Sequence, residues 1–315
     1  MRAEIGVKTS QGRLLGNYEN VRRIWVEADR LGFHSGWLFD HLFELPLFGP
    51  SHEPCLEAWT LLSALSKETN KLRLGVTCLC VTYRSPAMLA KMSSTLDVIS
   101  GGRFELGIGA GWAEAEHQAY GMPFEKPRQR VEKLKEAVTI IKKMWTEENP
   151  SFQGKHYRID GAVCNPKPLQ KPRPPIWIGG EGERLTLSAV ARCADGCNFI
   201  GSSLSEYKHK LDVLAKHCDL AGRKVEDVRK SWQGSVIVGR NEAEVESRMK
   251  LATQGHPVQG DLKSHAITGT PEQCAQRIGE YLDIGVDRFM LSFPESATDL
   301  TGLRLFAQNV LPSFK

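Results

Sequence analysis

A strand-then-helix rhythm runs through this 315-residue chain from end to end. Short apolar runs predict strands at 2–9, 35–40, 72–81, 104–108, 176–178, 196–200, 231–238 and 288–293. Helical spacing of apolar residues predicts helices at 17–31, 56–69, 86–98, 128–145, 184–193, 204–220, 242–252, 271–284 and 300–310. In 17–31, Val21, Ile24, Ala28 and Leu31 share one face, and Gly32 stops the helix. Eight strands alternating with helices predict an α/β fold of the TIM (β/α)8 barrel type, as a single domain over 1–315. A doubly wound open sheet is the structural alternative. Two segments break the rhythm and read as insertions at the barrel rim: 146–175, dense in proline, and 253–265.

Bulk properties narrow the function. A net charge of +4 is slight and does not imply a nucleic-acid partner. No run of 18 apolar residues exists, so no membrane span is expected. The opening MRAEIGVKTS alternates like a strand and lacks a signal peptide's apolar core, so a cytoplasmic protein is expected. Eight scattered cysteines suit free buried thiols in a reducing compartment. Neither Cys78-Leu-Cys80 nor Cys193…Cys197 has the partner pair of a zinc site, so no metal is expected.

In a barrel the chemistry gathers where strands end at their C-terminal side. The run GGRFELGIGAGWAEAEHQAYG at 101–121 stands out, because its strand ends in Gly107, Gly109 and Gly111. Bare backbone lets a flat ligand approach main-chain atoms, so this shelf reads as a cofactor site. A Rossmann fingerprint wants its glycines in the first strand-turn-helix unit, and these arrive after a hundred residues. At the end of the second strand, His41 is the acid–base candidate, because imidazole titrates near neutrality. Asp40 orients it or accepts a hydrogen bond from a cofactor. Gly179, Gly180, Glu181 and Gly182 precede a helix and read as a phosphate cradle, or as a plain tight turn. Trp112 either walls a substrate pocket or packs under the next helix. Glu114 and Glu116 read as solvated helix charges, His117 is ambiguous, and Met88, Leu89 and Met92 read as core.

These blocks together resemble the luciferase-like monooxygenase superfamily and, within it, the coenzyme F420-dependent oxidoreductases. The resemblance is carried by LGFHSGWLFDH at 31–41, LRLGVTCLCVTYRSPAMLAK at 72–91, LDVISGGRFELGIGAGW at 96–112, PIWIGG at 175–180 and ADGCN at 194–198. It implies a luciferase-like barrel whose strand ends hold coenzyme F420, an 8-hydroxy-5-deazaflavin, with FMN as the alternative. It further implies a non-prolyl cis peptide at Thr77–Cys78 behind the ring. Backbone contacts would come from Gly109, Ala110 and Gly111, and phosphate contacts from 179–182. Asp40 and His41 match the pair beside the ring and the substrate oxygen. The resemblance also implies a homodimer and a small-molecule substrate. The expected reaction is hydride transfer between the deazaflavin and an alcohol, carbonyl or activated alkene. The alternatives are an FMN-dependent monooxygenase using reduced flavin and oxygen, and a non-catalytic flavin-binding protein. There is one departure: the family's sugar-phosphate dehydrogenases carry a glutamate directly after the shelf, where this chain has Trp112. That argues for a different, more apolar substrate, and leaves open whether Glu114 or Glu116 substitutes.

Overall fold

A computed structural model describes residues 2–12, 15–45, 52–253 and 265–315. The strands are β1 (Glu4–Lys8), β2 (Ser35–Leu38), β3 (Arg73–Val76), β4 (Leu79–Cys80), β5 (Phe104–Gly109), β6 (Phe152–Gln153), β7 (Arg158–Ile159), β8 (Ile176–Gly179), β9 (Gly196–Ile200), β10 (Arg229–Val238), β11 (Ile267–Gly269) and β12 (Arg288–Ser292). The main sheet runs β11-β10-β12-β1-β2-β3-β5-β8-β9, and β9 also pairs β10. That last pairing closes the circuit into the predicted (β/α)8 barrel. Register is parallel where β1 meets β2 and β12, and where β5 meets β3 and β8.

The helices are α1 (Tyr18–Leu31), α2 (Ala58–Glu68), α3 (Pro86–Ile99), α4 (Glu114–Ala119), α5 (Pro127–Thr146), α6 (Thr186–Cys193), α7 (Leu204–Leu220), α8 (Glu242–Thr253), α9 (Pro271–Leu282) and α10 (Thr301–Asn309). Local chemistry sets their ends. Asn17 caps α1 by accepting the Glu19 N–H, and left-handed Gly32 ends it. Pro86 opens α3, where a missing N–H costs nothing. Among the described residues no helix is long and apolar enough to cross a membrane.

The chain divides into two compact units. The first comprises Met1–Arg73, Asn198–His209 and Arg229–Lys315. Its α1 lays Trp25, fully buried, against β1, and the indole N–H donates to Thr9 Oγ1 at 2.9 Å. The second comprises Leu74–Cys197 and Lys210–Val228. Its buried Glu105 on β5 accepts the Trp177 indole N–H at 2.6 Å, so both polar groups are satisfied inside the core.

Two sequence expectations need correction, the strand at 72–81 and the core reading of Met88, and two segments gain detail. The predicted long strand at 72–81 is two strands, broken at Thr77–Cys78 by a cis peptide. The insertion at 146–175 carries a small antiparallel hairpin, β6 with β7. The short α4 follows the glycine shelf at Glu114–Ala119. Met88 is 58% exposed, whereas Leu89 is buried, so only one of those α3 neighbours faces the core. The insertion expected at 253–265 lies mostly outside the described residues.

Candidate active site

In the second unit the ends of three strands meet. The cis bond Thr77–Cys78 stands where the resemblance placed it. Gly107 must be glycine: a Cβ there would lie 2.1 Å from the Val76 carbonyl oxygen. A Cβ on Gly109 would touch Cys78 Cβ and the Gly179 carbonyl oxygen, each at 3.4 Å. Thus Cys78, Gly109 and Gly179, predicted from separate motifs, lie against one another. Ala110 and Gly111 follow, with Gly111 in the left-handed region at φ +79°. Trp112 is 55% exposed, so it does not pack under the next helix.

The glycine run 179–182 precedes α6. Helix α6 starts at Thr186 rather than at 184, and the Gly182 carbonyl already accepts the N–H groups of Thr186 and Leu187. The run thus leads directly into the helix, with the Gly182 carbonyl accepting its first bonds. Lys210 on α7 donates to the Glu181 carbonyl at 3.3 Å and to the Glu183 carboxylate at 2.8 Å. This cation beside the candidate cradle was missed, because a lysine in an amphipathic helix carries no motif.

Below the shelf lies a chain of polar side chains. Carbonyls only accept, so His117 Nδ1 donates to the Ala113 oxygen at 2.8 Å. His117 Nε2 then accepts from Thr82 Oγ1 at 2.7 Å, and Cys80 Sγ donates to Thr82 at 3.0 Å. Tyr83 donates to Glu116 at 2.7 Å. Glu116 and His117 are fully buried, against the reading of Glu116 as a solvated charge, while Glu114 is exposed as expected. Arg130 holds the Gly111 carbonyl at 3.2 Å.

In the first unit, the loops after β1 and β2 carry the acid–base candidates. Asp40 is buried and His41 half-buried. The His41 ring sits edge-on to Phe39, with centroids 5.0 Å apart. Gln11, wholly buried, clamps the Phe39 backbone from both sides: its side-chain amide donates to the carbonyl, and its Oε1 accepts the N–H at 3.2 Å. Lys8, at the very end of β1, places its ammonium 5.5 Å from the same Phe39 ring. Burial pushes Lys8 down to about 8, and the Glu44 carboxylate resists that fall.

All eight cysteines are free thiols. Among the described residues no group of three or more His, Cys, Asp or Glu side chains could hold a metal. A cavity of about 510 Å³ in the first unit, lined by Arg240, Glu272, Thr301 and Arg304 among others, contains none of the candidate residues.

The class is set by the fold: a closed (β/α)8 barrel, with a cis peptide after β3 and glycine at the ends of β5 and β8. The chain belongs to the luciferase-like monooxygenase family, whose profile matches residues 2–262. The F420-dependent glucose-6-phosphate dehydrogenase of Amycolatopsis mediterranei (strain U-32) is 26% identical over 317 residues, covering 92% of each chain. The FMNH(2)-dependent dimethylsulfone monooxygenase of Pseudomonas putida is 28% identical over 289 residues, covering 81% of this chain and 78% of that one. The coenzyme F420-dependent tetrahydromethanopterin reductase from Methanopyrus kandleri superposes with a TM-score of 0.83 over the whole of both chains, at 18% identity, which is a likeness of fold.

Proposed function

We propose that the chain is a coenzyme F420-dependent oxidoreductase acting on a small alcohol or carbonyl, or on an activated alkene. The observation that carries this is the patch where Cys78, Gly109 and Gly179 come within one Cβ's reach. Such a surface fits a flat ring, because two of its three residues carry no side chain to hold the ring off the backbone. Thr77, Cys78, Gly109, Ala110 and Gly111 would hold the ring, and 179–182 its phosphate. When bound, the deazaflavin supplies hydride chemistry at its ring carbon 5. His41 gives or takes the proton on the substrate oxygen, since hydride transfer at a C–O centre requires one. Asp40 sets the position of that imidazole. Trp112 offers an apolar wall where the sugar-phosphate enzymes have a glutamate, which favours a substrate less polar than a sugar phosphate.

The test is a side-by-side titration with F420 and FMN, followed by turnover of His41→Ala. The reading expects F420 to bind tighter, and His41→Ala to keep binding while losing at least a hundredfold in kcat. Failure of F420 to bind in either oxidation state overturns it. The second reading, an FMN-dependent monooxygenase of the same fold, draws on the dimethylsulfone relative. Tighter FMN binding and oxygen consumption with reduced FMN would select it.

A further inference from the structure

Lys8 belongs to no motif and to no part of the mechanism above, yet its place is unusual. Side chains alternate across a strand. Thr9 meets Trp25 of α1, so Thr9 faces the helices and Lys8 faces the inner side of the sheet. Lys8 is the last residue of β1, at the C-terminal end where barrels keep their chemistry. Among the described residues its ammonium donates one hydrogen bond, to Ser10 Oγ at 3.2 Å, and otherwise lies over Phe39. His41 touches that same ring. Glu44 is buried and lies so close to Gly12 that a Cβ there would meet its Oε1 at 1.5 Å.

A lysine kept only for stability would pair in hydrogen-bond contact with a carboxylate. Among the described residues Lys8 has a neutral hydroxyl and an aromatic face instead, and these leave ammonium N–H donors for a ligand. The Glu44 charge acts on Lys8 through space and offsets part of the cost of burying it. An anion brought to Lys8 would also meet the Glu44 carboxylate, whereas a neutral, polarisable oxygen accepts from Lys8 without that repulsion.

We propose that Lys8 is a substrate ligand, donating to the carbonyl oxygen of an uncharged substrate on the Phe39 side shared with His41. The inference deepens the oxidoreductase reading: it names the substrate as a neutral carbonyl compound, or the alcohol related to it, rather than a carboxylate or a phosphate. The lowered Lys8 value adds support, since an ammonium that releases its proton more readily is a stronger hydrogen-bond donor to such an oxygen.

The experiment uses ligand-observed NMR on the full chain at pH 7, with and without F420. The probes are acetone, cyclohexanone and benzaldehyde, each against a matched carboxylate: acetate, cyclohexanecarboxylate and benzoate. Wild type is compared with Lys8→Met and Lys8→Arg. At least one carbonyl probe should bind wild type tenfold or more tighter than Lys8→Met, with Lys8→Arg recovering part of the loss. F420 affinity should not change with either variant. The proposal is overturned if no carbonyl probe loses affinity in Lys8→Met, or if the carboxylates outbind their carbonyl partners. Failure of F420 to bind wild type would sink the cofactor reading, while the Lys8 result would still be decided by the probes alone.

Discussion

Strand β1 begins with an acid and ends with a base, and the molecule treats them in opposite ways. At its start, Glu4 is surrounded. Arg288, 1% exposed, donates to Glu4 Oε2 through Nε at 2.9 Å and through Nη2 as well, and its guanidinium lies over Trp37. Arg229 donates to the same oxygen at 2.8 Å and to Asp287 at 2.9 Å. Every charge there meets an opposite one at contact distance. At the strand's end the company is sparser: Lys8 has a hydroxyl, a ring and a carboxylate acting through space. One end of a barrel strand satisfies its charges for the sake of the fold, and the other holds a charge ready for a ligand.

The largest expected effect lies at the satisfied end. Arg288→Met removes a buried cation from a carboxylate cluster, and breaking one partner of such a cluster costs about 3–5 kcal/mol. Urea unfolding should show that loss. A change under about 1 kcal/mol would mean the cluster is no anchor, and the contrast between the two ends would collapse. At the other end the sign reverses. Lys8→Met should raise stability at pH 7 by about 2–3 kcal/mol, the scale set by a lysine lowered from 10.5 to about 8. A side chain whose loss strengthens the fold and weakens ligand binding is kept for function. Destabilisation by Lys8→Met would make Lys8 a structural residue.

The same contrast explains what could be read in the sequence. Apolar periodicity exposed the eight barrel strands and their helices, because burial imposes period 2 or 3.6 on whichever residues face the core. The shelf at Gly109 and Gly111 was legible because glycine is the residue that bare backbone requires. The break at Thr77–Cys78 came from the family resemblance; an apolar run such as LRLGVTCLCV reads as continuous. Buried polar groups were the least legible. Glu116 and His117 sit in a string of polar letters that looks solvated, and only the fold brings Tyr83 and Thr82 to meet them. Lys8 was hidden for a related reason: a lysine closing a strand is ordinarily a surface residue, and its partners Phe39 and Glu44 lie some thirty residues away in the chain.

The smallest effects come from pH, and they separate the two ends most cleanly. Burial opposes the ionisation of Glu4, but Arg288, His34 and Arg229 outweigh it and hold the carboxyl below its ordinary 4.5. A group depressed in the folded state contributes stability above its unfolded value and loses it as pH falls through the folded one. Wild type should therefore weaken below about pH 4.5. Glu4→Gln should start less stable at neutral pH and converge on wild type in acid. Lys8 plays no part in that limb, since it is protonated in both states. Its window is alkaline: the folded form sheds its proton near 8 and the unfolded form near 10.5, so the cost of the buried charge fades between them. Wild type should gain on Lys8→Met across that interval, with Glu4→Gln behaving as wild type there. Urea midpoints measured from pH 3 to 10.5 on the three proteins would show both limbs. An acid limb that moved with Lys8→Met, or an alkaline limb that moved with Glu4→Gln, would mean the two ends of β1 are one coupled network rather than two separate devices.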